Sequence, residues 1–217
     1  YSIMKNFFSL FLSFEMTNRN YLIGFLVLLM ALTSHFVTAP LAQDKFHVGQ
    51  LLVAKPHMPD LRFSETVVFV CRHDAKGALG LILNRPAGRI KMSKLMESLD
   101  VPSDGVTGDV QIRFGGPLET QAGFLMYSKK IENEDGICSS HGVTVSNNKD
   151  VLKTLGSENS SEEIILFFGY AGWSPNQLES ELARKDWLTV PADRSFLFAP
   201  DIKSLWNRAR TRYGLDL

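Results

Sequence analysis

The sequence has few cysteines and no excess of charge of either sign. Cys71 and Cys138 are the only two cysteines among 217 residues. That is too few for a disulfide-rich scaffold, so the hydrophobic core must supply most of the stability. The 23 basic and 23 acidic residues give a formal net charge of +0, which creates no general field to attract nucleic acid or anionic lipid. We therefore expect no nucleic-acid partner.

Internal repeats and low-complexity tracts are also missing. Without a repeat at a period of about 20 to 50 residues, solenoids and propellers are excluded. The hydrophobic fraction of 45% excludes a disordered chain. The length suits one domain with a single sizeable core.

Several motifs that mark enzymes are absent as well. The chain contains no Gly-x-Ser-x-Gly nucleophile elbow, no Walker A loop and no Gly-x-Gly-x-x-Gly fingerprint. Ser139 and Ser140 precede His141 directly, but adjacency in sequence does not create the geometry of a catalytic triad. We therefore predict no catalytic residues and no cofactor.

Residues 16–42 have the pattern of a secretory signal peptide. A polar start containing Arg19 precedes an apolar run at residues 21–32, and small residues follow up to Ala42. At about 1.5 Å per residue the run spans roughly 18 Å, which is too short to cross a hydrocarbon core of about 30 Å. We predict cleavage within about three residues of Ala42 and an exported, periplasmic domain. An uncleaved N-terminal anchor is the alternative, and it would be the only contact with a membrane.

This interpretation divides the chain into three parts. We expect residues 1–15 to be an over-extension of the gene model, because Met16 is a better start than Tyr1. Residues 16–42 form the leader, and residues 43–217 form the globular domain, which is close to neutral after the leader is removed.

Short segments rich in β-branched and aromatic residues predict strands. They lie at residues 51–54, 66–72, 78–84, 110–114, 123–128, 142–146 and 164–168. The segment 164–168 is apolar throughout, which indicates a central strand covered on both faces.

Helices are predicted less often than strands. Candidates lie at residues 92–99 and 150–155, at 175–184 with Ser174 as the N-cap, and at 201–213 with Asp201 as the cap. Strands outnumber helices and do not alternate regularly with them, so the pattern favours an α+β fold.

Two cysteines and two histidines give competing interpretations. Cys71-x-His73 and Cys138-x-x-His141 supply ligand types that zinc prefers. A metal-dependent enzyme or hydrolase that uses these four residues is therefore the alternative to a binding domain. The two thiols would instead form a disulfide if the domain is exported, and the sequence leaves this choice open.

Four segments resemble the YqgE/AlgH family. They are GQLLVAKP at 49–56, RFSETVVFVCRHDAKGALGLILNRP at 62–86, FGGPL at 114–118 and FFGYAGWSPNQLESELARKDWLTVPAD at 167–193. The resemblance extends over nearly all of residues 47–210. It implies a single compact α+β domain with a bent, mostly antiparallel sheet that approaches a barrel, flanked by a few helices.

The resemblance also implies a function without established catalysis. Members look like uncharacterised bacterial proteins, mostly cytoplasmic, so the leader departs from the pattern and a cytoplasmic location is the alternative to export. We predict a non-enzymatic binding or regulatory domain that recognises an unknown protein or small molecule, without a metal site. The motif residues proposed for that surface are His73, Asp74, Asn84, Arg85, Gly115, Gly116 and Trp173.

Two interpretations are open for Trp173, and two for the glycine pair Gly115 and Gly116. A large aromatic on a turn such as Trp173 lines a pocket or belongs to the core, and the core is favoured. Gly115 and Gly116 permit the close approach of a ligand or of another backbone segment.

Overall fold

A large twisted sheet dominates the structure. The computed structural model describes residues 46–128, 130–134, 136–156 and 163–214. The predicted gene-model extension (1–15) and leader (16–42) lie outside the described residues. Within the described ranges, no helix combines the length and the hydrophobicity needed to span a membrane.

Ten strands and five α-helices lie within the described residues. The strands are β1 (Gln50–Ala54), β2 (Val67–Asp74), β3 (Gly77–Ile82), β4 (Pro86–Lys91), β5 (Asp109–Phe114), β6 (Leu118–Tyr127), β7 (Cys138–Ser140), β8 (Val143–Ser146), β9 (Ile164–Trp173) and β10 (Trp187–Pro191). The helices are α1 (Met92–Ser98), α2 (Val151–Gly156), α3 (Gln177–Ala183), α4 (Arg194–Leu197) and α5 (Leu205–Tyr213), and a 3₁₀ turn covers Leu61–Phe63.

The sheet follows the order β10-β1-β2-β3-β9-β6-β8-β7, and β5 joins β9 and carries β4 on its other side. Strand β9 is the centre, because it pairs with β3, β5 and β6. The β5–β9 pair is parallel, and the remaining strand pairs of the described residues are antiparallel. The α+β class and the central position of segment 164–168 are confirmed.

A disulfide between Cys71 and Cys138 links two strands that are far apart in the sheet order. Cys71 lies on β2 and Cys138 on β7, and β3, β9, β6 and β8 separate these strands in the sheet order. The two Cα atoms are nevertheless only 5.4 Å apart, so the sheet must curl. No ladder joins β2 to β7 in the described part of the chain, and the barrel is therefore not closed.

Both faces of the sheet are covered. On β1, Leu51 and Val53 belong to one hydrophobic cluster, in which α5 packs. The alternate residues Leu52 and Ala54 belong to a second cluster on the other face, as the two-residue period of a strand requires. A third cluster gathers under α1 and α2, against β6 and β9.

Two helix starts differ from the prediction. Helix α3 begins at Gln177, and its N-cap is Asn176 rather than Ser174. Asn176 has a φ of 61°, a left-handed conformation that asparagine tolerates and that cannot lie inside a helix. Helix α5 begins at Leu205 with Ser204 as its N-cap, because the segment after Asp201 forms a turn first. Leu205, Trp206 and Ala209 of α5 are buried. On α3, Leu178 is buried and Leu182 is half-buried against the second cluster.

Candidate functional site

Asp74 lies in the tight β2–β3 turn, which it stabilises locally. Its Oδ1 accepts a hydrogen bond from the Lys76 N–H at 2.7 Å. Gly77 follows with a φ of 125°, which favours glycine. The turn chemistry accounts for both residues.

Trp173 belongs to the core, as favoured from the sequence. It is buried with Trp187 in the second hydrophobic cluster. Both indole Nε1–H groups donate to the same oxygen, Oε2 of Glu181, each at 2.8 Å. Gln177 donates to the other carboxylate oxygen at 2.9 Å. The motif around Trp173 therefore joins β9, α3 and β10.

His73 is a buried histidine near the end of β9, where Trp173 lies. Its side chain has 0% exposure, and Nε2 lies 3.4 Å from Oε1 of Glu179 without forming a hydrogen bond of acceptable geometry. Nδ1 accepts from the backbone N–H of His47 at 3.1 Å. Burial is the main cause that lowers the pKa of His73, outweighing the opposite effect of Glu179. The ring is therefore neutral near pH 7.

This pKa shift predicts a loss of stability in mild acid. The unfolded chain takes up a proton at His73 below its ordinary pKa of about 6.5, whereas the folded chain does so only at lower pH. The free energy of unfolding should therefore fall as pH drops through that window, by at most about 1.4 kcal/mol per pH unit from this group. Urea unfolding at pH 7 and pH 5 measures it. A His73→Gln variant should show a weaker pH dependence, and an equal dependence would contradict the assignment.

Asn84 and Arg85 lie at the opposite end of β3. Asn84 lies six positions after Ala78, the partner of His73, so the two groups are about 20 Å apart along the extended chain. Asn84 Oδ1 accepts from the Val67 N–H at 3.0 Å, and Nδ2 donates to the Glu65 carbonyl at 2.8 Å. Arg85 donates to the Ser64 carbonyl at 2.6 Å. Both side chains hold the turn before β2.

Replacing Asn84 with alanine should lower the free energy of unfolding by about 2 kcal/mol, because a buried N–H loses its acceptor. Chemical denaturation of the purified protein measures the change. Asn84→Asp keeps the acceptor for Val67 but buries a carboxylate oxygen against the Glu65 carbonyl, so it should also be destabilised at neutral pH. Equal stability of Asn84→Ala and the wild type would contradict the bridging role.

Gly115 and Gly116 let the chain pass close to β9. A Cβ at Gly115 would overlap the Gly169 carbonyl oxygen, and one at Gly116 would overlap the backbone of Tyr170 and Ala171. Of the two predicted uses of this pair, the structure shows the approach of another backbone segment.

Two of the four residues of the metal or hydrolase alternative, Cys71 and Cys138, are not available as metal ligands. The sulfur atoms of Cys71 and Cys138 are bonded to each other, so neither is a thiolate that zinc requires. Ser140 Oγ, at the end of β7, lies 2.7 Å from Nδ1 of the exposed His141. No group of three His, Cys, Asp or Glu residues in the described ranges is placed to hold a metal ion.

A cavity of about 340 Å³ opens on another part of the molecule, between α1, β6, β9 and the segment after β8. This volume lies within the range of small-molecule sites. The apolar part of its lining is Leu95, Leu99, Leu125, Leu166 and Phe168, and the remainder is Ser98, Gln121, Gly123, Asn147 and Lys149.

Gly123 leaves the space of the cavity open. It is opposite Phe168 across the β6–β9 pair, where any side chain would stand on the sheet surface. A Cβ there would meet only Leu166, at 3.6 Å, which is ordinary van der Waals contact. No backbone strain demands glycine at this position, since its φ is not in the left-handed region. Glycine in a strand often marks a close approach by a ligand.

The sequence prediction missed this cavity. Its residues come from four separate elements that only the folded sheet brings together. The sequence contained one signal for the cavity: Gly123 is the first residue of the strand segment GFLMY, whose other residues are bulky and apolar.

Comparisons with known proteins agree with the fold. The family model described as AlgH-like matches residues 51–217. This chain belongs to the AlgH-like family. A UPF0301 protein of Shewanella sp. (strain ANA-3) is 40% identical over 172 residues, which cover 77% of this chain and 91% of that protein. A UPF0301 protein of Afipia carboxidovorans is also 40% identical, over 78% of this chain and 84% of its own length.

Solved structures of similar proteins show the same architecture. The solution structure of the AlgH protein from Pseudomonas aeruginosa aligns with a TM-score of 0.63 at 30% identity, over 80% of this chain and 92% of that one. A crystal structure from Corynebacterium diphtheriae, at 21% identity and a TM-score of 0.57, covers 76% of this chain and 86% of its own and supports the fold alone. The AlgH-like assignment predicted from the motifs is confirmed.

Proposed function

We propose that this AlgH-like protein is a non-enzymatic binding domain that takes a ligand in the cavity beside Gly123. The observation that carries the proposal is the cavity itself, with an apolar floor and polar side chains at its margin. A concave, mostly apolar site with a few polar groups is the usual form of a ligand site. In the surface predicted from the motifs, His73 Nδ1 and Trp173 Nε1 form hydrogen bonds within the fold, and the use of that surface for binding stays a prediction.

The chemistry of the lining favours binding over catalysis. Ser98 is the one hydroxyl among the lining residues that the structure describes, and its Oγ donates to the Leu95 carbonyl at 2.7 Å. No histidine, aspartate or glutamate stands among these lining residues to act as a general base for it. The groups present are suited to contact a ligand and orient it.

A neutral apolar dye, N-phenyl-1-naphthylamine, tests the site by fluorescence titration. The wild-type protein should bind one dye molecule per chain. Gly123→Leu places an isobutyl group in the cavity and should weaken binding at least about tenfold, equivalent to about 1.4 kcal/mol. Gly123→Ala is the matched control and should bind nearly as well as the wild type.

Thermal unfolding of the three proteins shows whether each variant is folded. If Gly123→Leu is folded and binds the dye as tightly as the wild type, the cavity is not the binding site. Absence of any stoichiometric dye binding to the wild type would overturn the proposal.

Export of the domain is the second part of the proposed function. The Cys71–Cys138 disulfide supports it, because such bonds persist in oxidising compartments outside the cytoplasm. The leader pattern at residues 16–42 points the same way. A cytoplasmic location would require the disulfide to survive a reducing environment.

N-terminal sequencing of the mature protein from fractionated cells tests export. We expect a new N-terminus within about three residues of Ala42, in the envelope fraction, with both cysteines unreactive toward a thiol reagent until a reductant is added. Recovery of the protein from the soluble interior with its leader attached and free thiols would contradict export.

A further inference from the structure

The geometry points to hydrophobic carboxylates as the ligands of the cavity beside Gly123, with the apolar chain on Leu125, Leu166 and Phe168 and the carboxylate at Lys149. This inference rests on the proposed binding function and specifies the ligand class. It follows from the lining of the cavity, which is apolar except for a few polar side chains and the positively charged Lys149.

The apolar half of the site comes from rigid elements. Leu125 and Leu166 face each other across the β6–β9 ladder, and both are buried in the third cluster. Leu95 reaches the same space from α1. A methylene chain placed there leaves water and gains contacts with aliphatic side chains. The free energy of this transfer is favourable in proportion to the apolar area buried.

Lys149 is the one charged side chain among the described residues of the lining. Its Nζ donates to the Leu99 carbonyl at the end of α1, at 2.7 Å, which fixes the ammonium at the margin of the cavity. An ammonium has three N–H donors, so donors remain for a ligand oxygen. Asn147 and Gln121, both exposed beside the opening, add amide N–H groups.

Three carboxylates of neighbouring segments are engaged with other partners, although Asp150 also attracts Lys149 electrostatically. Asp150 Oδ1 lies 2.8 Å from Lys153 Nζ, and Glu97 Oε2 lies 2.7 Å from Lys94 Nζ. Glu134 accepts hydrogen bonds from Ser146 and Asn148. Within the described part of the chain, no carboxylate forms an ion pair with Lys149. The opening therefore presents a positive charge that a ligand carboxylate would complement.

Three probes with the same eight-carbon chain separate charge from hydrophobicity: octanoate, 1-octanol and octyltrimethylammonium. Each displaces N-phenyl-1-naphthylamine from the full-length protein in a competition titration. We expect octanoate to bind about tenfold more tightly than 1-octanol, as one charge-assisted contact allows, and the cation to bind most weakly. Lys149→Gln should remove the preference for octanoate and leave 1-octanol unchanged.

Lys76→Gln is the matched control, because it removes an exposed lysine that does not line the cavity and, unlike Lys153, does not pair with the Asp150 carboxylate next to Lys149. It should keep the octanoate preference. Equal binding of octanoate and 1-octanol by the wild type, or an unchanged preference in Lys149→Gln, would overturn the inference while leaving the binding function intact. Failure of every probe to displace the bound dye would overturn the inference alone, whereas failure of the dye to bind would overturn both.

Discussion

Removing the disulfide by the double substitution Cys71→Ala and Cys138→Ala should lower the free energy of unfolding by about 4 kcal/mol. The two residues are 67 apart in sequence. In the chain-entropy account, a cross-link over such a long loop restricts the unfolded chain strongly. The folded chain also depends on this link, since no ladder of the described strands joins β7 to β2. Urea unfolding of the oxidised wild type and the double variant measures the difference.

The double variant loses two sulfur atoms as well as the disulfide bond. The reduced wild-type protein, which keeps both atoms, is the control for this difference. Cys71 is buried, so its replacement also removes packing, whereas reduction removes only the bond. We expect the reduced protein to lose most of the same stability. A double variant within about 1 kcal/mol of the oxidised wild type would show that the sheet keeps its curvature without the link, and it would contradict this account.

Arg113→Met should cost about 3 kcal/mol of unfolding free energy. Arg113 is fully buried on β5. Its guanidinium donates to the carbonyl of Leu83 at 3.0 Å and to those of Leu197 and Ala199 at 3.4 Å each. Burial lowers the pKa of Arg113 to about 10, so the side chain is charged at neutral pH. The substitution relieves the desolvation of this charge but leaves the buried carbonyls without a donor.

Arg113→Lys tests whether the shape of the guanidinium matters as well as its charge. A lysine keeps the positive charge, but its single ammonium group cannot replace the two separate guanidinium nitrogens that contact the carbonyls. We expect Arg113→Lys to recover less than half of the loss seen in the methionine variant. Equal stability of Arg113→Met and the wild type, measured by urea unfolding, would show that these carbonyl contacts do not hold the C-terminal segment to the sheet.

The sequence was sufficient to predict most of the strands with buried residues, but it did not predict β10, where Trp187 and Val190 are buried. Segments 66–72 and 164–168 correspond to β2 and to the first half of β9, because apolar runs with β-branched residues are readable without knowing their partners. The exposed strand β4 was not predicted. It begins with Pro86, contains Gly88 and is largely exposed, so it lacks the apolar period that marks a strand.

The candidate site was less predictable than the fold. Asn84 and Arg85 are specific features of the motif, yet both bind backbone carbonyls or amides of residues about twenty positions earlier. Such long-range pairings have no local signature. The cavity combines residues from Leu95 to Phe168, and only the sheet order places them together.

The central claim is that ligands enter the cavity beside Gly123. Amide NMR shifts during titration of the purified protein with N-phenyl-1-naphthylamine test it most directly, because an aromatic ring shifts the resonances of its nearest neighbours. We predict the largest shifts at Gly123, Lys149 and Phe168. The largest shifts at His73 and Trp173, or no shifts at saturating dye, would contradict the claim.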